Sequence, residues 1–252
     1  MVAKKAKAGQ FVILRLDEKS ERFPLTLSDW EPEGGTITLV FLEVGVSTTK
    51  LGALETGDEI LDISGPLGNP SDIKFFGTVA VVCGGVGSAA TYPIARALKA
   101  AGNRIVTIIG ARNAELLVLE DEMRRFSDEL YVSTDDGSKG HKGFVSDVLK
   151  ELVEKGKHFD LAYAIGPPLM MRATVNVAKA YALKTIVSLN PIMVDGCGMC
   201  GACRVTVGDK TKFACLDGPE FEGNIVDFDE LLKRLRTYRS KEEQALKLLA
   251  EN

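Results

Sequence analysis

Four of the chain's five cysteines stand within nineteen residues, in Asp195-Gly-Cys197-Gly-Met-Cys200-Gly-Ala-Cys203 and again at Cys215. Thiols gathered so densely are no chance feature of a core, and they constrain the fold of the chain around them. Cys200-x2-Cys203 followed by a distant Cys215 matches the last three positions of the C-x4-C-x2-C…C spacing that holds a [2Fe–2S] cluster. The first position of that pattern, five residues before Cys200, is Asp195, and Cys197 falls two residues late for it. The spacing leaves two ligand sets open: Asp195 with Cys200, Cys203 and Cys215, or Cys197 with the same three. Structural zinc also takes four thiolates, but its ribbons put C-x2-C pairs in both halves. Here the second half offers only Cys215. No other feature suggests secretion and disulfides, so the spacing favours an iron–sulfur cluster.

The 252 residues suffice for two compact domains and a small appendage. A net charge of −4 gives no reason to expect nucleic acid. The longest apolar runs, 78–83 and 104–110, have the length of strands and predict no membrane span. The basic start Met1-Val-Ala-Lys-Lys-Ala-Lys7 is followed by too short an apolar run for a signal peptide. Free thiolates holding a metal cluster suit the reducing cytoplasm.

Strand-like runs at 10–16, 24–27, 36–44 and 59–64 are separated by Gly, Pro, Asp and Glu clusters. They predict a half-open antiparallel β-barrel over residues 1–72, with a short helix near 49–54. Arg22-Phe-Pro-Leu-Thr26 puts a cation and a hydroxyl at the end of one strand. Gly45-Val-Ser-Thr48-Thr49 puts two hydroxyls at a helix start, where free amides favour an anion. Singly, each reads as a turn or an N-cap; together, ahead of a nucleotide fold, they suggest a flavin diphosphate site.

Residues 73–190 alternate strand and helix. A buried strand at 78–83 runs into Gly84-Gly85-Val-Gly87 and a helix at 91–101. Further strands are expected at 104–110, 130–134, 161–165 and 185–189, with helices at 115–125, 144–155 and from 166 onward. This pattern predicts a doubly wound parallel sheet with ligands at the carboxyl ends of its strands. The second strand ends in Ala111-Arg112-Asn113, without the acidic residue of the usual NAD fingerprint. Cys83 reads as a small core residue. Residues 191–225 form the cluster region, and 226–252 a single charged amphipathic helix packed on its own domain.

The order of these motifs, with Gly65-Pro-Leu-Gly68 and Asp135-Asp136-Gly-Ser-Lys-Gly-His-Lys-Gly143, resembles the ferredoxin–NADP reductase superfamily over almost the whole chain. Within it the chain resembles dihydroorotate dehydrogenase electron-transfer subunits, and more closely the small subunits of NADH-dependent ferredoxin:NADP oxidoreductases, also called sulfide dehydrogenases. The resemblance implies FAD held by Arg22, Pro24, Leu25, Thr26, Gly45, Thr48 and Thr49. It implies a dinucleotide, NAD(H) sooner than NADP(H), at Gly84, Gly85, Gly87, Asp135, Asp136, Gly166 and Pro167. It implies no acid–base catalytic residue, because hydride passes directly between nicotinamide and flavin. The bifurcating small subunits carry aspartate where the orotate branch has its first cluster cysteine, which favours the set Asp195, Cys200, Cys203 and Cys215. The implied partner is a large subunit with flavin and [4Fe–4S] clusters. Family members carry a further strand ahead of the segment matching residues 6–11, so the barrel is expected to be one strand short. Many reductases have cysteine where Ile165 precedes Gly166-Pro167. Two other readings stand beside this one: an electron-transfer subunit for dihydroorotate oxidation, against which Asp195 counts, and a non-catalytic metal-binding module, against which the intact glycines count.

Overall fold

The computed structural model describes residues 1–251. The N-terminal sheet has four antiparallel strands in the order β3-β2-β1-β4, made of β1 (Phe11–Arg15), β2 (Phe23–Glu31), β3 (Thr36–Leu39) and β4 (Asp62–Leu67). Register Phe11↔Thr26 and Leu14↔Phe23 places Val12 and Leu14 in one small core with Leu25 and Leu27. The helix α1 (Val46–Gly52) sends Leu51 into that same core, which seats it beside β2.

The second sheet begins with β5 (Thr78–Gly84), buried on both faces as expected of a central parallel strand. Then follow α2 (Gly87–Ala100), β6 (Arg104–Ala111), α3 (Glu120–Arg124), β7 (Glu129–Thr134), β8 (His141–Lys142), α4 (Val145–Glu154), β9 (Leu161–Ile165), α5 (Pro168–Ala180) and β10 (Thr185–Ser188). The helix expected at 115–125 is shorter: Asn113 caps a 3-10 turn at Ala114–Leu116, and Leu119 adopts φ 59 before α3 begins. Strand order β10-β9-β5-β6-β7 reverses direction between β5 and β9. Such a switch point opens a crevice at the carboxyl ends of the strands. On one face α4 buries Val145, Val148, Leu149 and Leu152, spaced for one helix side. On the other, Ile94, Ala95 and Leu98 of α2 cover Val79, Val81 and Ile105.

The N-terminal sheet docks on α2. Trp30 of β2 joins the α2 core, and Arg96 forks onto Asp29 at 2.7 and 3.3 Å. That guanidinium holds the Asp29 carboxyl below its usual range.

The remainder of the chain comprises a hairpin of β11 (Arg204–Val207) and β12 (Lys210–Phe213), the turn α6 (Ala214–Asp217), β13 (Glu220–Glu222), α7 (Phe228–Leu235) and α8 (Arg239–Ala250). Two expectations change here. β13 pairs antiparallel with β10, so the nucleotide sheet is not purely parallel, and the cluster region shares its framework. The single C-terminal helix is two. α7 buries Phe228 and Leu231 against α5 and the hairpin, whereas the described side chains of α8 are exposed or half-buried. The break at 236–238 falls where the apolar stripe of α7 ends, and the Thr237 hydroxyl donates back to Arg234 O at 2.7 Å. Among the described residues no helix is long and apolar enough to cross a membrane.

Candidate cofactor sites

The glycine turn after β5 lies at the switch point. Gly85 has φ +56, which glycine adopts without strain. At Gly87 the reason is space: a Cβ there would lie 2.5 Å from Ile165 O and 2.7 Å from Gly166 Cα. Only a bare Cα lets α2 begin so close to the end of β9. The first turn of α2 thereby meets Gly166, which precedes Pro167, the N-cap of α5. On the other side of β5, the N–H groups of Asp135 and Asp136 donate to Ala111 O and Arg112 O, tying the carboxyl ends of β6 and β7. Asp136 accepts from the amide and hydroxyl of Ser138, which hold its carboxyl low; Ser138 Oγ in turn accepts from Ala114 N–H. Asp135 and Arg112 are exposed at this rim. Glycines 84, 85, 87 and 166 thus lie together at the carboxyl ends of β5 and β9, the place where a doubly wound sheet accepts a dinucleotide. Cys83 beneath it is fully buried, and burial pushes its thiol up to about 12, so it is core.

In the N-terminal sheet, Arg22 is exposed just ahead of β2 and makes no hydrogen bond or ion pair with a described residue. Thr26 and Thr49 have half-buried hydroxyls also without partners, whereas Thr48 is engaged: its Oγ accepts from Val44 N–H and Gly45 N–H at 3.0 and 3.1 Å. Pro24 and Leu25 sit opposite Ile13 and Val12, with Leu25 serving the small core. The unpaired cation of Arg22 and the free hydroxyls of Thr26 on β2 and Thr49 on α1 are groups suited to an anionic diphosphate.

The hairpin gathers the thiols. Register Arg204↔Phe213 puts Cys203 opposite Ala214, and Ala214 N–H donates to Cys203 O at 3.1 Å. Cys203 and Cys215 are buried with sulfurs 3.2 Å apart, and Cys215 N–H points at Cys203 Sγ. Burial first, then the neighbouring Cys203 thiol and Cys200, push the Cys215 thiol well above its ordinary range, while Gly198 N–H works the other way. Two buried sulfurs 3.2 Å apart on one hairpin, with Cys200 three residues before Cys203, are a donor set that fits a metal cluster. Cys197 and Cys200 are exposed and Asp195 half-buried. Among the described residues no three His, Cys, Asp or Glu side chains are drawn into one metal-holding group. The loop rests on the N-terminal sheet: a Cβ at Gly196 would lie 2.7 Å from Leu67 Cδ1 and 2.8 Å from Ile13 Cγ1.

Sequence reasoning missed Glu220. It is half-buried, and its carboxyl lies between Gly9 ahead of the first strand, Ser71 in the segment joining the two sheets, and Tyr163 of β9. Ser71 Oγ donates to Oε1 at 2.5 Å, Gly9 leaves no room for a Cβ beside it, and the Tyr163 hydroxyl is buried close by. Burial and the Asp72 charge push Glu220 up to about 7, against the opposing effects of Ser71 and Tyr163.

Residues 190–227 match the family described as the iron–sulfur cluster binding domain of dihydroorotate dehydrogenase B, and residues 81–176 the oxidoreductase NAD-binding domain. The dihydroorotate dehydrogenase B (NAD(+)) electron transfer subunit homolog of Thermotoga maritima is 54% identical over 241 residues, covering 96% of this chain and 85% of that one. The electron transfer subunit of Clostridium perfringens is 32% identical, covering 89% and 88%. A solved structure of the NADH-dependent reduced ferredoxin-NADP oxidoreductase, described for flavin-based electron bifurcation, superposes with a TM-score of 0.93 at 51% identity. That match covers 99% of this chain and 90% of the other.

Proposed function

The chain belongs to the family of dihydroorotate dehydrogenase B electron-transfer subunits, and we propose that it is the small subunit of an NADH-dependent ferredoxin:NADP oxidoreductase. In this reading it exchanges hydride with NAD(H) at FAD and passes single electrons through a [2Fe–2S] cluster to a larger flavin and iron–sulfur subunit. Bound FAD supplies the exchange between two-electron and one-electron chemistry, and the cluster supplies one-electron relay.

The chain's own residues orient and insulate. Gly84, Gly85 and Gly87 admit the dinucleotide diphosphate to the start of α2, with Gly166 and Pro167 on the opposite wall. Arg22, Thr26 and Thr49 hold the flavin diphosphate, while Thr48 keeps the 44–48 turn shaped. Asp195, Cys200, Cys203 and Cys215 hold the cluster. The observation that carries the reading is the seat of the 195–203 loop, where Gly196 lies against Ile13 and Leu67 of the N-terminal sheet. A cluster there is next to the sheet that takes the flavin. NAD(H) is favoured over NADP(H) by the relatives' names, and Arg112 stands exposed rather than preformed around a phosphate.

The ligand set is tested by EPR of reduced protein. Asp195→Cys is expected to keep the cluster but change its g-values and potential, because ligand identity sets both. Cys197→Ser leaves the spectrum unchanged. A spectrum altered by Cys197→Ser and unmoved by Asp195→Cys assigns the fourth position to Cys197 instead.

A further inference from the structure

Two arginines hold the Cys200–Cys203 turn by its carbonyls. Arg204, opening β11, donates from Nη1 to Gly201 O at 3.2 Å. Arg234, on α7, donates from Nη2 to Ala202 O at 3.0 Å. Neither forms an ion pair with a described residue, and Arg234 Nε is buried without an acceptor. A half-buried guanidinium is costly without a carboxylate to pair with. Here the charge is instead applied to the back of a thiol-bearing loop.

Two consequences follow. A peptide group is planar and trans, so a carbonyl held in one direction turns the next N–H the opposite way. Gly201 O and Ala202 O tied to the arginines therefore turn the amides of Ala202 and Cys203 to the other side of the turn. Gly201, at φ +66, permits the bend. The second consequence is electrostatic. Reduction adds a negative charge to a cluster, and a nearby fixed cation favours the reduced form. Arg234 is half-buried and Arg204 exposed, so solvent and salt screen Arg234 less.

We propose that Arg234, assisted by Arg204, is a positioning residue that raises the reduction potential of the cluster held by this loop. The inference rests on reading the loop as a cluster site. Its test is an EPR-monitored redox titration of cluster-loaded full-length protein. Arg234→Met is expected to lower the equilibrium constant for one-electron reduction about tenfold, about 59 mV for a one-electron couple. Arg204→Gln shifts it less in the same direction, and Arg234→Lys retains most of the wild-type value. Mere loosening of the loop admits water, which favours the more charged reduced form and moves the potential upward. An unmoved or raised potential in Arg234→Met with full cluster content therefore overturns the proposal. If that variant loads no cluster, Arg204→Gln decides: a lowered potential upholds the proposal, and an unmoved or raised one overturns it. A wild-type protein that takes up no cluster overturns instead the underlying reading of the loop.

Discussion

Gly87→Val is expected to abolish dinucleotide binding and to cost about 1–3 kcal/mol of stability, the usual range for overpacking a tight contact. The obstacle is backbone: even the first side-chain carbon would lie 2.5 Å from Ile165 O. To make room, α2 must retreat from β9, and its first turn leaves the crevice. Gly85 provides the contrast. It has φ +56 but open space around its Cα, and asparagine tolerates that conformation. Gly85→Asn should therefore keep the fold and weaken binding far less. Titration with NADH, followed by calorimetry, together with urea unfolding of both variants, separates the two. Equal affinity in Gly87→Val and wild type would remove the crevice from the account.

Glu220→Gln should flatten the dependence of stability on pH. The folded carboxyl is pushed up to about 7, above an ordinary 4.5, so the folded chain holds this proton more tightly than the unfolded one. Stability from this group is then complete below about 4.5, falls as pH rises through the interval, and is lost above about 7. The gap corresponds to about 3 kcal/mol. Glutamine stays neutral and still accepts from Ser71, so the variant should match wild type near pH 4.5 and exceed it by about that amount near pH 8. Urea unfolding at the two pH values measures the difference. Parallel profiles would mean that the carboxyl is charged and tolerated in the folded protein. The group joins the segment after β4 to the nucleotide sheet, so its ionisation loads the contact between the two halves of the molecule.

The parts of this fold legible in the sequence were those with a strong local signal. β5, β6 and β9 are runs of apolar and β-branched residues buried on both faces, and glycine turns or polar ends punctuate them. The hairpin that gathers Cys203 and Cys215 was not legible, because Arg204–Val207 and Lys210–Phe213 are short and half polar. It is fixed by packing Val205 between α5 and α7. β13 has three residues and acquires strand form only from its partner β10. The Asp29–Arg96 fork spans 67 positions and leaves no periodic trace. Within the candidate sites the glycines were legible for different reasons: backbone leaves no room for a side chain at Gly87, whereas Gly85 adopts a positive φ in open space. Glu220, Arg204 and Arg234 were not, since an isolated charge in a sequence reads as a solvated side chain until its neighbours are known.

The most direct measurement is an anaerobic titration of the flavin- and cluster-loaded protein with NADH, followed by visible absorbance and EPR on the same samples. An electron-transfer subunit of this kind is expected to show bleaching of the flavin band together with growth of a reduced [2Fe–2S] signal as NADH is added. A colourless zinc protein, or NADH binding with neither change, would contradict that expectation.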